Sequence, residues 1–299
     1  MTAVHHGGHG RNDPFSVGAG MSAEGVRVPH GGVMSEQRRF DVWQAGPGYE
    51  RYMGRWSRKV AERFTGLEGH ADGLRWLDVG CGTGALSAVL TARCRPAVVL
   101  GCDRSAELVA TARETAHGPV GFAVADARAL PVRDGSWDVA VSGLTLNFLP
   151  EPAEGVAEMA RAVRPGGQVA AYVWDYAEGM ELLRRFWDAA AALDPAAAEL
   201  DEGRRFPMCR PDPLYALWTG AGLEDVRITP VVVPTVFTDL TDLWSPFLAG
   251  QGPAAGYVTG LPPEDRDRLR TALAESLPEE PDGTIALAAR AWTVRGTKP

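Results

Sequence analysis

Asp78, Gly80, Gly82 and Gly84 fall within seven residues of one another, in the stretch WLDVGCGTGALS at 76–87, at the end of an apolar run. Glycines at this spacing let a strand turn sharply into a helix and let a ligand approach the backbone N–H groups closely. Gly80, Gly82 and Ala85 by themselves fit the G-x-G-x-x-G/A spacing of a dinucleotide site. No Lys-Ser or Lys-Thr follows, so the loop is not a P-loop. Two more carboxylates bear on what the loop holds. Asp103 ends the next apolar run, AVVLGCD, where it could accept hydrogen bonds from both hydroxyls of a ribose. Asp126, in ADA, ends the third run and is placed to take an adenine amino group. Asp78 is the discriminating residue: a carboxylate there repels a pyrophosphate and suits a cationic ligand. Each has a plainer reading: Asp78 or Asp126 as a turn residue, and Asp103 as a helix cap, although Ser105 is better placed for that.

These residues need a sheet to hold them. LRWLDVG, AVVLGCD, GFAVAD, WDVAVSGL and QVAAYVWD read as strands. ALSAVLTARC, AELVATARETA and AEGVAEMARAV read as helices between them, the last stopped by RPGG. Apolar strands alternating with amphipathic helices predict a parallel sheet covered on both faces. Beyond Asp175 the rhythm breaks. MELLRRFWDAAAAL is an extra helix, DEGRRFPMCRPDP a loop, PLYALWTGAGL a helix with a glycine stop and DVRITPVVV a strand. Two further helices are expected in 239–279, then a last strand, TIALAARAWTVRG, in a position that suits antiparallel insertion.

The pattern from Phe40 to Leu67 is helical and aromatic. Residues 1–33 are rich in Gly and His, lack any period and are expected to be a disordered tail. His5, His6 and His9 have no acidic or thiol companion, so no metal site is expected there. Met34 reads like a natural start. The expected layout is a tail at 1–33 and a single domain at 34–299, with cap elements at 40–70, 176–212 and 239–279.

The 299 residues carry a formal net charge of -8, with 45% hydrophobic and 23% charged residues. An acidic balance disfavours nucleic acid or an anionic membrane as partner. Four cysteines without a CxxC pair read as reduced, buried thiols. No run is long enough to span a membrane, and no signal peptide is evident, so a cytoplasmic protein is expected, monomeric or a homodimer.

WLDVGCGTGALS, GCDRS, VADARALPVRDGSWDVAVSGLTLNFLPEP and ARAVRPGGQVAAYVWDY together resemble the class I S-adenosylmethionine-dependent methyltransferases. The likeness is greatest to the small-molecule branch that includes ubiquinone/menaquinone C-methyltransferase-like enzymes, and it is close over about 40–175 and looser beyond. It implies an α/β, Rossmann-like sheet of seven strands, six parallel and one antiparallel, with helices on both faces and a helical cap. It also implies S-adenosylmethionine across the carboxyl ends of the first strands. Carried over by position, Gly80, Gly82 and Gly84 line its methionine and ribose, and Asp78 faces its amino group. Asp103 holds the ribose, Arg104 lies over the adenine face, and Asp126 and Ala127 meet the adenine edge. Ser142 and the residues after it lie under the sulfonium. Asp138, in SWDVAV, matches a position with a structural role.

A sulfonium methyl is already activated, so in-line positioning of a nucleophile supplies much of the rate, roughly 7–11 kcal/mol. That fits a chain with no triad and no metal constellation. Asn147, Asp175 and Tyr176, beyond the fourth and fifth strands, are the candidates to orient or deprotonate an acceptor. Many relatives have histidine near Asn147, and this chain does not; Asp175 reads equally well as a helix cap. There is no [DN]PPY motif. His70 and His117 fall in loops at the wrong end and are expected to face solvent. Arg55, in YMGRWSR, reads either as a donor to the methionine carboxylate or as a surface arginine. Aromatic residues of the cap, among them Tyr49, Tyr52, Trp56, Phe186, Trp187, Trp244 and Phe247, divide between core and an apolar acceptor pocket. The expected function is methyl transfer to a small molecule. The alternatives are a protein or tRNA methyltransferase, a non-catalytic cofactor-binding protein and an NAD-linked oxidoreductase.

Deleting residues 1–33 is expected to change neither melting temperature nor cofactor affinity, because the segment has no apolar period with which to dock. Scanning and titration calorimetry check this, and a clear drop in either quantity would show that the segment folds onto the domain.

Overall fold

The structure, a computed structural model, describes residues 54–66, 70–249, 252–278 and 280–299. The expected tail at 1–33, its histidines, the start of the aromatic entry segment and Tyr49 and Tyr52 lie outside the described residues.

Seven strands form one sheet: β1 (Arg75–Val79), β2 (Val98–Asp103), β3 (Val120–Val124), β4 (Trp137–Gly143), β5 (Val163–Trp174), β6 (Glu224–Phe237) and β7 (Ile285–Thr297). Their order is β3-β2-β1-β4-β5-β7-β6. β1 to β5 pair in parallel. β7 is antiparallel to both β5 and β6, so β6 runs with the other five. The central strands read as continuous apolar runs because helices cover both faces. Leu77, Val99, Val139, Val141 and Val169 are all fully or nearly fully buried. Chain order reverses across β1 and β4, and a crevice opens at the carboxyl ends of such strands.

The helices are α1 (Arg55–Gly66), α2 (Ala85–Arg93), α3 (Ala106–Glu114), α4 (Pro152–Ala162), α5 (Glu181–Leu193), α6 (Glu202–Arg205), α7 (Pro211–Gly220), α8 (Leu240–Trp244), α9 (Gly252–Gly260) and α10 (Pro263–Ser276). α1 turns Trp56, Val60, Ala61 and Phe64 inward at helical spacing. Ser105 caps α3, its hydroxyl accepting from the Leu108 amide at 3.2 Å, as its position predicts. β6 is an edge strand, and its exposure is managed locally. Pro230 and Pro234 carry no N–H, while Lys59 and Arg63 of α1 donate to the carbonyls of Pro234 and Val232.

α4 ends at Ala162, just before RPGG, as expected, and RPGG itself lies within β5, which begins at Val163. The Gly166 amide bonds the Lys298 carbonyl and the Lys298 amide the Gly167 carbonyl, so the end of the chain closes this stretch. The segment after β6 is not two helices but α8, a 3-10 turn at Ser245–Ala249, α9 and α10. Its Gly and Pro residues interrupt the helical ladder.

At the amino ends of β1, β4 and β5, Asp138 accepts from the Arg75 amide at 2.8 Å, from Arg75 Nε at 3.1 Å and from Arg164 Nε at 2.8 Å. Burial works against its charge, yet these two arginines hold its pKa down at about 2. The carboxylate therefore pins three strands. Its depressed pKa adds stability above the ordinary value of 3.8, and this is lost as pH falls toward about 2. Asp138→Asn should cost roughly 1.5–3 kcal/mol at pH 7, the range for hydrogen bonds to a charged group. In thermal melts the deficit should shrink between about pH 4 and pH 2. A deficit independent of pH would show that the charge is not what matters.

Candidate active site

Gly80, Gly82 and Gly84 all adopt left-handed backbone, with φ of 76°, 54° and 86°. At Gly80 a side chain is excluded twice, since an added Cβ would also stand 2.2 Å from Thr145 Cγ2. The amides of Gly80 and Cys81 donate to the Cys102 carbonyl at 2.7 and 3.0 Å, and the Gly82 amide donates to Asp103 Oδ2 at 3.0 Å. Gly84 donates to the Cys81 carbonyl. These four amides are thus consumed by the protein and do not form a cradle for phosphate.

Asp78, on β1, is fully buried. Its Oδ2 accepts from Ser87 Oγ of α2 at 2.7 Å, and its Oδ1 has no partner. Burial pushes its pKa up to about 7. An unpaired buried carboxylate oxygen is costly, and a cation placed against it would recover that cost. Asp103 ends β2 with both oxygens on backbone amides, Oδ2 on Gly82 and Oδ1 on Ser105 at 2.9 Å. Each oxygen keeps a second lone pair for a ligand hydroxyl. Arg104, next in the chain, is exposed. Asp126 is gripped by Arg128, through Nε at 3.0 Å and Nη2 at 2.8 Å, and that pairing lowers its pKa to about 2. Ala127 sits beside it, half-buried. Ser142, on β4, is fully buried and donates its hydroxyl to the Val79 carbonyl at 2.7 Å. β1, β2 and β4 thereby bring Asp78, Asp103 and Ser142 to one end of the sheet.

The exit of β4 is fastened to the glycine loop. Leu144 is left-handed, with φ 57°, a costly conformation for a side-chain-bearing residue that clusters at functional sites. The turn it makes lets Thr145 Oγ1 donate within reach of the Gly80 carbonyl at 2.9 Å and the Gly143 carbonyl at 3.1 Å. Asn147 follows in a 3-10 turn, 8% exposed, its Nδ2 without a partner. Phe148 then packs edge-on against Phe206, 5.5 Å between centroids, and Phe206 packs against Tyr176 at the same distance. Tyr176 is buried, while both phenylalanines are half-buried.

Two expected roles meet different surroundings. Asp175 gives its carboxylate to Arg290, at 2.6 Å from Nε and 2.5 Å from Nη2, and also accepts from the Glu178 amide. Its turn-capping role is the one the geometry displays. Arg55 is carried by α1 to the end of β6, at the opposite edge of the sheet from β2 and β3. There it pairs with Asp242 at 3.2 Å and lies over the rings of Trp56 and Phe237. His117 is exposed, whereas His70 stacks edge-on against Trp76 rather than facing solvent alone. Burial raises the thiols of Cys81 and Cys102, the latter to about 12. No cluster of metal-ligating side chains occurs among the described residues. Sequence reasoning missed Ser87, Thr145, Phe206 and Arg290. Ser87 and Thr145 stand inside the motifs already singled out, while Phe206 and Arg290 are distant in sequence and carried no signal.

Residues 77–171 match the family model of a methyltransferase domain. Over 195 residues the chain is 30% identical to the 2-methyl-6-phytyl-1,4-hydroquinone methyltransferase of Synechocystis sp., covering 64% of this chain and 59% of that protein. Over 100 residues it is 37% identical to the mouse tRNA (carboxymethyluridine(34)-5-O)-methyltransferase ALKBH8, covering 32% of this chain and 14% of that protein. The chain thus spans less than two thirds of the length of these relatives. Among solved structures, phosphoethanolamine N-methyltransferase 2 of Haemonchus contortus, in complex with S-adenosyl-L-methionine, superposes with a TM-score of 0.55 at 18% identity. That match covers 90% of this chain and 61% of that one, a likeness of fold. Over this segment the chain is similar to the methyltransferases, and its sheet has the fold of the enzyme just named. The match runs from β1 to β5, and S-adenosylmethionine is the group held by that structural neighbour. The residues present fit that group: Asp78 keeps an unpartnered oxygen for an ammonium, and the loop at Gly80 admits no side chain.

Gly80→Ala should destabilise the protein by at least about 1–2 kcal/mol, the cost of left-handed backbone for an L-residue, before any displacement of Thr145 is counted. Chemical denaturation checks this. A neutral substitution would mean that the loop relaxes without strain.

Proposed function

We propose that this protein transfers a methyl group from S-adenosylmethionine to a small-molecule acceptor, chiefly by positioning the acceptor. The observation that carries this reading is Asp78, buried under the glycine loop with one oxygen on Ser87 and the other awaiting a cation. On this reading Asp78 faces the ammonium of the cofactor, and Gly80, Gly82 and Gly84 admit its methionine and ribose. Asp103 accepts from the ribose hydroxyls, and Arg104, Asp126 and Ala127 lie along the adenine. Ser142 supports the floor beneath the sulfonium through its bond to Val79. The cofactor supplies an electrophilic methyl carbon; the chain supplies alignment and exclusion of water. Asn147 and Tyr176 stand at the β4 and β5 exits as positioning groups, and Asp175 holds Arg290.

The acidic net charge favours a small acceptor over nucleic acid, and no helix among the described residues is long and apolar enough to cross a membrane. A cytoplasmic monomer or homodimer of residues 34–299, with 1–33 as a tail and helices capping the sheet, completes the reading. The tRNA-modifying relative supplies the competing possibility, tested by asking whether labelled methyl enters bulk tRNA.

Titration calorimetry should show S-adenosylmethionine binding and no NAD binding. Asp78 with a free pKa of about 7 adds a sign. Pairing with an ammonium lowers that pKa, so binding near neutral pH releases a proton, and affinity rises with pH and levels off above about 7. Heats measured in buffers of different ionisation enthalpy report the proton. Binding of NAD in place of S-adenosylmethionine, or proton uptake on binding, contradicts the reading.

A further inference from the structure

The exit of β5 is rich in acids, yet each is engaged. Asp175 is held by Arg290, and Glu178 sits on the same guanidinium at 3.2 Å. Asp201 pairs with Arg184 and also takes the Gly203 amide. Glu202 is 2% exposed and accepts from Trp187 Nε1 at 2.5 Å, beneath α5. The Cys209 thiol, near Asp175, is buried and raised to about 12. At the start of α4, Glu151 is solvent-exposed and Glu154 faces Arg128 at 3.9 Å. None of these carboxylates is held as a general base.

At the β4 exit the opposite need appears. Asn147 Nδ2 is a buried donor in a side chain more than nine-tenths buried, and it has no acceptor. Leaving such a donor unpaired costs about 1–3 kcal/mol, which an oxygen on a ligand would recover. Phe148, next in the chain, and Phe206 bring half-buried rings together, backed by Tyr176, an apolar wall suited to a flat body.

We propose that the acceptor is a carboxylate on a planar, apolar body, with Asn147 Nδ2 holding the carboxylate oxygen that does not attack and Phe148 and Phe206 lining the body. This rests on the methyl-transfer reading above. A carboxylate is ionised at neutral pH, with an ordinary pKa near 4, so it needs no base. The acceptor's oxygen pair forms the new O–CH3 bond while the C–S bond breaks and its pair stays on sulfur. A methyl ester and a neutral thioether result, and no proton is transferred.

The probes are trans-cinnamate, with cinnamamide, p-cresol and benzylamine as controls. Calorimetry on the complex with S-adenosylhomocysteine should show cinnamate binding, weakened at least tenfold in Asn147→Leu and more in Asn147→Asp, where like charges meet. Cinnamamide, whose carbonyl oxygen Asn147 can also hold, should bind but yield no base-labile label. With labelled cofactor, cinnamate should yield base-labile label, and turnover at saturating cofactor should be flat from about pH 6 to pH 9. S-adenosylhomocysteine affinity and melting temperature of the variants establish that the fold and the cofactor site are intact. Two results overturn the acceptor proposal while leaving the methyl-transfer reading standing. One is cofactor binding with no cinnamate binding. The other is label entering p-cresol or benzylamine with a rate that rises with pH. A wild-type protein that does not bind S-adenosylmethionine overturns both.

Discussion

The peptide of Gly80 joins three strand ends. Its N–H donates to Cys102 at the end of β2, and its carbonyl accepts from Thr145 at the exit of β4, while the residue itself continues β1. Only a left-handed residue without a side chain can do both, because the turn must reverse sharply and Thr145 stands where a Cβ would go. Once this peptide is fixed, Gly82 reaches the Asp103 carboxylate, and Asp103 in turn fixes Ser105 and the start of α3. The carboxyl ends of the strands at the reversal of chain order are thus locked to one another by hydrogen bonds, not merely brought near.

That lock has an electrostatic consequence. The loop's amides are spent on the protein, so the site offers an anion little, while Asp78 beneath it is a carboxylate held out of water. A shift to about 7 corresponds to roughly 4 kcal/mol of disfavoured ionisation. Because the folded pKa is raised, this is a stability present at low pH and lost as pH rises through about 7. A site strained in this way gains from a cationic ligand, which is the physical content of the cofactor assignment.

Around the acceptor end, charges are arranged to hold structure. Arg290 ties β7 to the turn after β5, and Arg184 ties α5 to α6 through Asp201. α6 in turn carries Phe206 to the rings of Phe148 and Tyr176. β7, antiparallel to both β5 and β6, supplies Arg290 from a strand far along the chain. The side chain that first suggests a base is thereby turned into an anchor.

The alternation of apolar strands and amphipathic helices, the glycine spacing and the acids at the ends of β1, β2 and β3 determine, by local pattern alone, the sheet and the cofactor end of the crevice. Ser105 as the cap of α3 was legible for the same reason, its partner being three residues away, while Asp138 as a structural carboxylate was legible only through the family resemblance. What only the tertiary structure decided is the pairing of groups brought from distant segments. Arg290 claims Asp175 across 115 positions, and Asp242 claims Arg55 across 187. Phe206 meets Phe148 through a six-residue segment that periodicity reads only as loop. Local pattern specifies which face a residue presents, but the charge state and availability of a side chain depend on which partner the packing delivers to it.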